Sequence, residues 1–231
     1  MGEVRVRESV ATVKISEALE GGKCALCALH QEAEGAFLGA FFREMVMDGK
    51  SQADLGKQGL CPYHLHLIGE APDKLGAALA LRTLVGTAMT NPQGSYGGCF
   101  ACSILEKTDQ RFAQIIGDYY TSAEGSPLFE STIDRFCLPH VTYLLAVNMP
   151  RWREKMGGAF KYLCHEACKH NLQDLAADLE WFIKKFDYRM AEESWRGTED
   201  IVQRVVEKLA GKAGCHIHRQ DSDTRKKGKS G

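Results

Sequence analysis

Apolar positions recur at three- and four-residue spacing through most of the chain, which predicts helices. From Ala28 to Met47 the stripe Leu29, Ala33, Ala36, Phe37, Ala40, Phe41 and Val46 runs without proline and is closed by Asp48-Gly49. Residues 50–60, rich in Gly and polar side chains, read as a loop with one helical turn. Pro62 suits a first helical turn, so a helix to about Gly69 follows, then another from Asp73 to Met89. Asn91 to Gly98 is the clearest linker. Beyond it the pattern predicts a helix over Phe100–Tyr120, a shorter one starting at Ser126-Pro127, and one from Cys137 to Val147 ended by Pro150. From Arg151 to Arg189 the 3-and-4 spacing persists, with Gly157-Gly158 as the weak point, and predicts one long helix of about 45 Å. Thr198 is placed to cap a last amphipathic helix over 201–209 that stops at Gly211. Only residues 3–15 alternate like a strand, predicting an extended arm before a short stretch, Glu17–Glu20, capped by Ser16 and ended by Gly21-Gly22.

The fold class is therefore all-α. Its expected organisation is an N-terminal arm (1–22), two helical units (23–90 and 99–150), C-terminal helices (151–211) against which the units pack, and a disordered tail (212–231). A chain of 231 residues, 44% hydrophobic, can bury such a core in one compact domain.

The two units share a chemical pattern. Cys24 and Cys27 form a CxxC followed by Cys61 and His64 in a CxxH; Cys99 and Cys102 are followed in the same way by Cys137 and His140. The copies are offset by 75 to 76 residues (24 to 99, 61 to 137), the mark of an internal duplication. Three thiolates and an imidazole make a closed four-ligand shell for a tetrahedral zinc ion, which points to a structural rather than a catalytic metal. Two zinc ions are the expected cofactors, with an iron–sulfur cluster as the alternative, since thiolate-rich sites host both. Loop closure favours pairing within each copy, provided that the residues before each CxxH run partly extended and bring it back to its CxxC; the alternative, the CxxC of one copy meeting the CxxH of the other, would tie the two halves together through both metals.

Other chemistry is thinner. Cys164 and Cys168 share a helix face and read as core sulfurs; Cys215, His216 and His218 lie near the tail; His30 and His66 fall off the ligand register as polar neighbours. The aromatic run from Trp181 to Tyr188, with Trp195, reads as core. No nucleotide-binding or hydrolytic motif occurs, so no catalytic residue and no enzyme activity is assigned. A formal net charge of −1 gives no global field toward nucleic acid or anionic membranes, so neither is an expected partner; a protein partner is left open. The absence of an apolar leader or spanning run predicts a cytoplasmic protein, where nine cysteines stay reduced and serve metals. The leading reading is an interaction or scaffold module with structural zinc; a thiol redox or iron–sulfur sensor is the alternative.

Four segments resemble an uncharacterised prokaryotic family catalogued as a domain of unknown function: Ile15–Leu19 before Cys24-Ala-Leu-Cys27, Gly59–His64, Cys99–Cys102 with Phe136–His140, and Leu179–Arg189. The resemblance spans roughly residues 13 to 211 and implies a mostly helical cytosolic protein. It supports the eight ligands and supplies no activity.

Overall fold

The computed structural model describes residues 10–90, 98–122, 125, 131–156 and 159–215. Among these residues there are helices and no strand. They are α1 (Val10–Glu20), α2 (Ala25–Arg43), α3 (Gly49–Gln58), α4 (Pro62–Glu70), α5 (Lys74–Thr90), α6 (Phe100–Tyr120), α7 (Leu138–Met156), α8 (Ala159–Lys184) and α9 (Ile201–Ala210), with 3-10 turns at Met45–Met47, Ile133–Arg135 and Tyr188–Met190.

Helices α2 and α6, which open the two repeats, form the central pair. They run antiparallel: the Phe100 ring meets Phe37 and Phe41 near the end of α2, while His30 near its start reaches Asp109 further along α6. Two hydrophobic cores sit along this pair. One gathers Ile15, Leu19, Leu26, Leu29, Ile116, Tyr120, Phe136 and Trp152; the other gathers Phe37, Phe41, Leu55, Ile68, Leu84, Phe100 and Leu105. Each draws on both repeats, so the duplication yields one intertwined unit rather than two separate ones.

Most helices fall where periodicity placed them, and six differences have physical causes. Residues 10–15 are helical, not extended, and run on through Glu20 as one helix, because Ile15 and Leu19, one turn apart, bury fully against α2 and α6, and that burial outweighs β-branched propensity; residues 1–9 lie outside the described residues. Ser16 is then inside α1, bonding Glu20 instead of capping. Residues 49–58 form a full helix because the Asp48 carboxylate caps it, accepting the Ser51 backbone N–H at 2.7 Å. α7 runs through position 150; the carbonyl that a proline there leaves unbonded belongs to exposed Ala146, where water can take its place. The long C-terminal helix is divided, α7 ending at Met156 and α8 beginning at Ala159, on either side of the Gly157-Gly158 pair. Thr198 turns its hydroxyl back to the Trp195 carbonyl, and Asp200 occupies the cap position of α9.

The 91–97 linker, the start at Ser126-Pro127 and positions 216–231, with His216 and His218, lie outside the described residues. The first four residues assigned to the tail, 212–215, are described and pack on the protein. No helix among the described residues is long and apolar enough to cross a membrane.

Candidate metal centres

Each of the four motifs sits at the start of a helix. Cys24, Cys61 and Cys99 are the N-cap residues of α2, α4 and α6, and Cys137 immediately precedes α7. Their carbonyls accept the first intrahelical hydrogen bonds, from Ala28, Leu65, Ser103 and Val141, at 2.9–3.1 Å. The second ligand of each motif follows three residues on, within the first turn, so both donor atoms point off the same helix end. There the backbone N–H groups are unpaired and the helix dipole contributes about +0.5 charge, which favours thiolates.

These helix ends meet in pairs across the repeats. Cys24 and Cys27 converge with Cys137 and His140 in a first cluster; Cys61 and His64 converge with Cys99 and Cys102 in a second; in each, all donor atoms lie within 4.8 Å of one another. In the first, the Cys137 sulfur is 3.8 Å from Cys24 and 3.9 Å from Cys27, and His140 Nδ1 is 3.1–3.3 Å from the three sulfurs. In the second, Cys61 and Cys102 sulfurs are 3.8 Å apart and His64 Nδ1 is 3.2–3.5 Å from its three.

The within-copy pairing expected from loop closure is thus corrected. α2 carries the chain about 28 Å from the first CxxC (19 residues). A return to Cys27 needs residues 44–60 largely extended, but ten of them are taken up in α3, which spans about 15 Å where an extended chain spans about 33 Å. The CxxH therefore stops level with Glu34, and α6 begins there instead: the Phe100 N–H donates to the Gly59 carbonyl at 2.9 Å. Gly59 makes this possible with φ 70 and ψ −163, a conformation essentially reserved for glycine.

Two carboxylates support the clusters, and sequence reading missed both. Glu34 Oε1 lies 3.3 Å from His64 Nε2, the ring nitrogen facing away from the sulfurs, while Glu34 Oε2 accepts the Tyr63 hydroxyl at 3.0 Å. Asp109 Oδ2 is 2.8 Å from Nδ1 of buried His30, joining α6 to α2 between the clusters. The signal was available: Glu34 and Asp109 stand at one offset from the first cysteine of their own repeat (24 to 34, 99 to 109).

In each cluster the electrostatics hold one thiol low and push another up. Hydrogen bonds from Cys137, Cys215 and Cys24 hold the Cys27 thiol well below the ordinary range, and a bond from Cys102, working against burial, brings Cys99 down to about 3. Burial pushes Cys24 up. At His140 burial opposes charging, but the bonds and negative potential of Cys24 and Cys27 win and raise it to about 10.

Of the remaining candidates, Cys164 and Cys168 are buried in the first core and join neither cluster, and His66 is exposed. Cys215 is buried against Cys27, its thiol donating to the Cys27 carbonyl at 3.6 Å. The aromatic run is not core: Ile183, Phe186 and Tyr188 are 66–87% exposed, and Phe182, Phe186 and Trp195 stack on one another at the surface.

The model of the Family of unknown function (DUF6062) matches residues 6–96 and 87–215. No curated protein and no solved structure matches the chain.

Proposed function

We propose that this chain, which belongs to the DUF6062 family of unknown function, holds two zinc ions, one in each cluster, as staples between its repeats, and acts as a metal-dependent interaction scaffold. The observation that carries this reading is the sulfur spacing. A zinc ion with 2.3 Å bonds at tetrahedral angles sets its sulfurs about 3.8 Å apart, and the sulfur pairs Cys24–Cys137, Cys27–Cys137 and Cys61–Cys102 lie 3.8–3.9 Å apart. Three thiolates around a dication leave a charge of about −1, which the two helix ends at each cluster oppose with about +1.

All four donors of a closed shell are protein groups, so the ion serves the fold; its binding free energy becomes folding free energy. An iron–sulfur cluster, the second reading, seats its thiolates on different irons and needs them further apart than donors confined within 4.8 Å. A reducing cytosol suits nine free cysteines. The exposed aromatic group around Phe186 and Trp195 supports a protein partner, since such rings are enriched where proteins meet.

Metal content by mass spectrometry with a visible spectrum, on protein purified anaerobically without added metal, tests the reading. Two zinc per chain and no colour are expected. Iron with sulfide would replace it with the redox reading, and a folded metal-free chain would overturn both.

A further inference from the structure

The two clusters have the same ligands but not the same surroundings. Cys164, Cys168 and Cys215, the cysteines outside both quartets, all belong to the first core, whereas the second core contains no cysteine beyond its own quartet. Of the three, Cys215 touches a ligand. Its thiol bonds the Cys27 carbonyl at 3.6 Å, on the residue whose sulfur belongs to the cluster.

The segment carrying Cys215 is built onto the first cluster. At Gly211, φ 79 lets the backbone lie so close that a Cβ there would be 3.3 Å from the Cys137 sulfur and 3.5 Å from that of Cys27. The next N–H, of Lys212, points at the Cys27 sulfur at 3.5 Å. Residues 212–215 then close a turn, the Cys215 N–H bonding the Lys212 carbonyl at 3.0 Å, and Gly214 packs on the Tyr63 hydroxyl. A cavity of about 470 Å³, walled by Lys23, Cys24, Cys27, Asp134, Lys208 and Lys212, reaches the same cluster.

Resting on the zinc reading above, we infer that the first cluster is an oxidation-releasable metal site in which Cys215 forms a disulfide with Cys27, while the second cluster keeps its ion. The oxidant is a hydroperoxide small enough for the cavity. The Cys27 thiolate attacks the terminal peroxide oxygen, the O–O bond breaks, and the products are a Cys27 sulfenic acid and, after protonation, an alcohol or water. The Cys215 thiol then attacks the sulfenic sulfur, the S–S bond forms, and hydroxide leaves with the thiol proton as water. Two electrons have passed from the two sulfurs to the peroxide. Cys27 is no longer a thiolate ligand, so the first ion loses its closed shell. A dithiol reductant reverses the change.

The test uses the full chain prepared anaerobically. Zinc content is measured first; hydrogen peroxide is then added with a chromogenic zinc chelator present, and linkages are mapped by non-reducing peptide mass spectrometry. Expected are release of one of two zinc ions, a Cys27–Cys215 linkage, and rebinding after dithiothreitol. In Cys215→Ser and Cys215→Ala, with parental zinc content and melting temperature, peroxide should carry Cys27 on to sulfinic or sulfonic acid, and zinc should fail to rebind at the first cluster after dithiothreitol. Variants that rebind zinc as the parent does, or a parental linkage map lacking Cys215, overturn the inference while leaving the structural reading intact. That map decides the matter even if both variants misfold. A chain holding no zinc before peroxide is added overturns the structural reading, and this inference with it.

Discussion

Pairing across the repeats makes a sharp prediction about paired ligand losses. Cys27→Ser with Cys137→Ser damages only the first cluster; Cys27→Ser with Cys61→Ser removes the same number of thiols but damages both. The clusters lie roughly 15 Å apart along the α2–α6 pair, the rise of the ten residues separating Cys24 from the level of Glu34. Losses that far apart should add, while two losses from one ion should not. Each structural zinc contributes on the order of 10 kcal/mol of apparent folding free energy, against a total stability of about 5–15 kcal/mol for a typical domain. The Cys27/Cys137 variant should therefore retain one zinc and melt within a few degrees of Cys27→Ser alone. The Cys27/Cys61 variant should retain none tightly and lose its cooperative transition. Zinc content by mass spectrometry and thermal circular dichroism on both proteins decide it. One zinc in the Cys27/Cys61 variant with none in the Cys27/Cys137 variant is the signature of within-repeat pairing and would refute the geometry.

Glu34→Gln removes the carboxylate behind His64 and should weaken the second site roughly 10–100-fold, measured by chelator competition, with the first site unchanged. Burial opposes charging of His30, but the bond to Asp109 prevails and raises its pKa. The stabilisation from that pair is therefore full below about pH 6.5 and fades as pH rises through the raised value. Asp109→Asn removes the bond and its charge and leaves burial opposed by the Glu34 carboxylate, so the His30 midpoint in an NMR titration should fall from its parental value; an unchanged midpoint would contradict the assignment. Gly211→Ala forces a side chain into a glycine-only conformation beside two ligand sulfurs and should cost about 1–3 kcal/mol in denaturant melts, together with weaker metal retention at the first cluster.

Helices such as Phe100–Tyr120 and Pro62–Glu70 were legible because burial of one face leaves a 3.6-residue period in the sequence, and Pro62 marked its first turn. The eight cysteine and histidine positions that converge in the two clusters were marked by their local CxxC and CxxH spacing. α1 was misread because its alternation is local, whereas the burial of Ile15 and Leu19 that makes it helical comes from partners far along the chain. The aromatic run from Trp181 was misread in the opposite sense. Periodicity shows which residues share a helix face, but not whether another element covers that face, and at Phe186 none among the described residues does.

The sequence by itself determined the duplication, the cysteine and histidine motifs of each copy and their placement at helix starts, because each is written within a few consecutive residues. Tertiary structure alone decided which motif meets which. That choice depends on how far α2 runs, on the Asp48 cap folding residues 49–58 into a helix too short to return to Cys27, and on the antiparallel docking of α6, which brings Cys99 and Cys102 to the level where the first CxxH stops. Distances accumulated over whole helices fix such a meeting, and no short stretch of sequence records them.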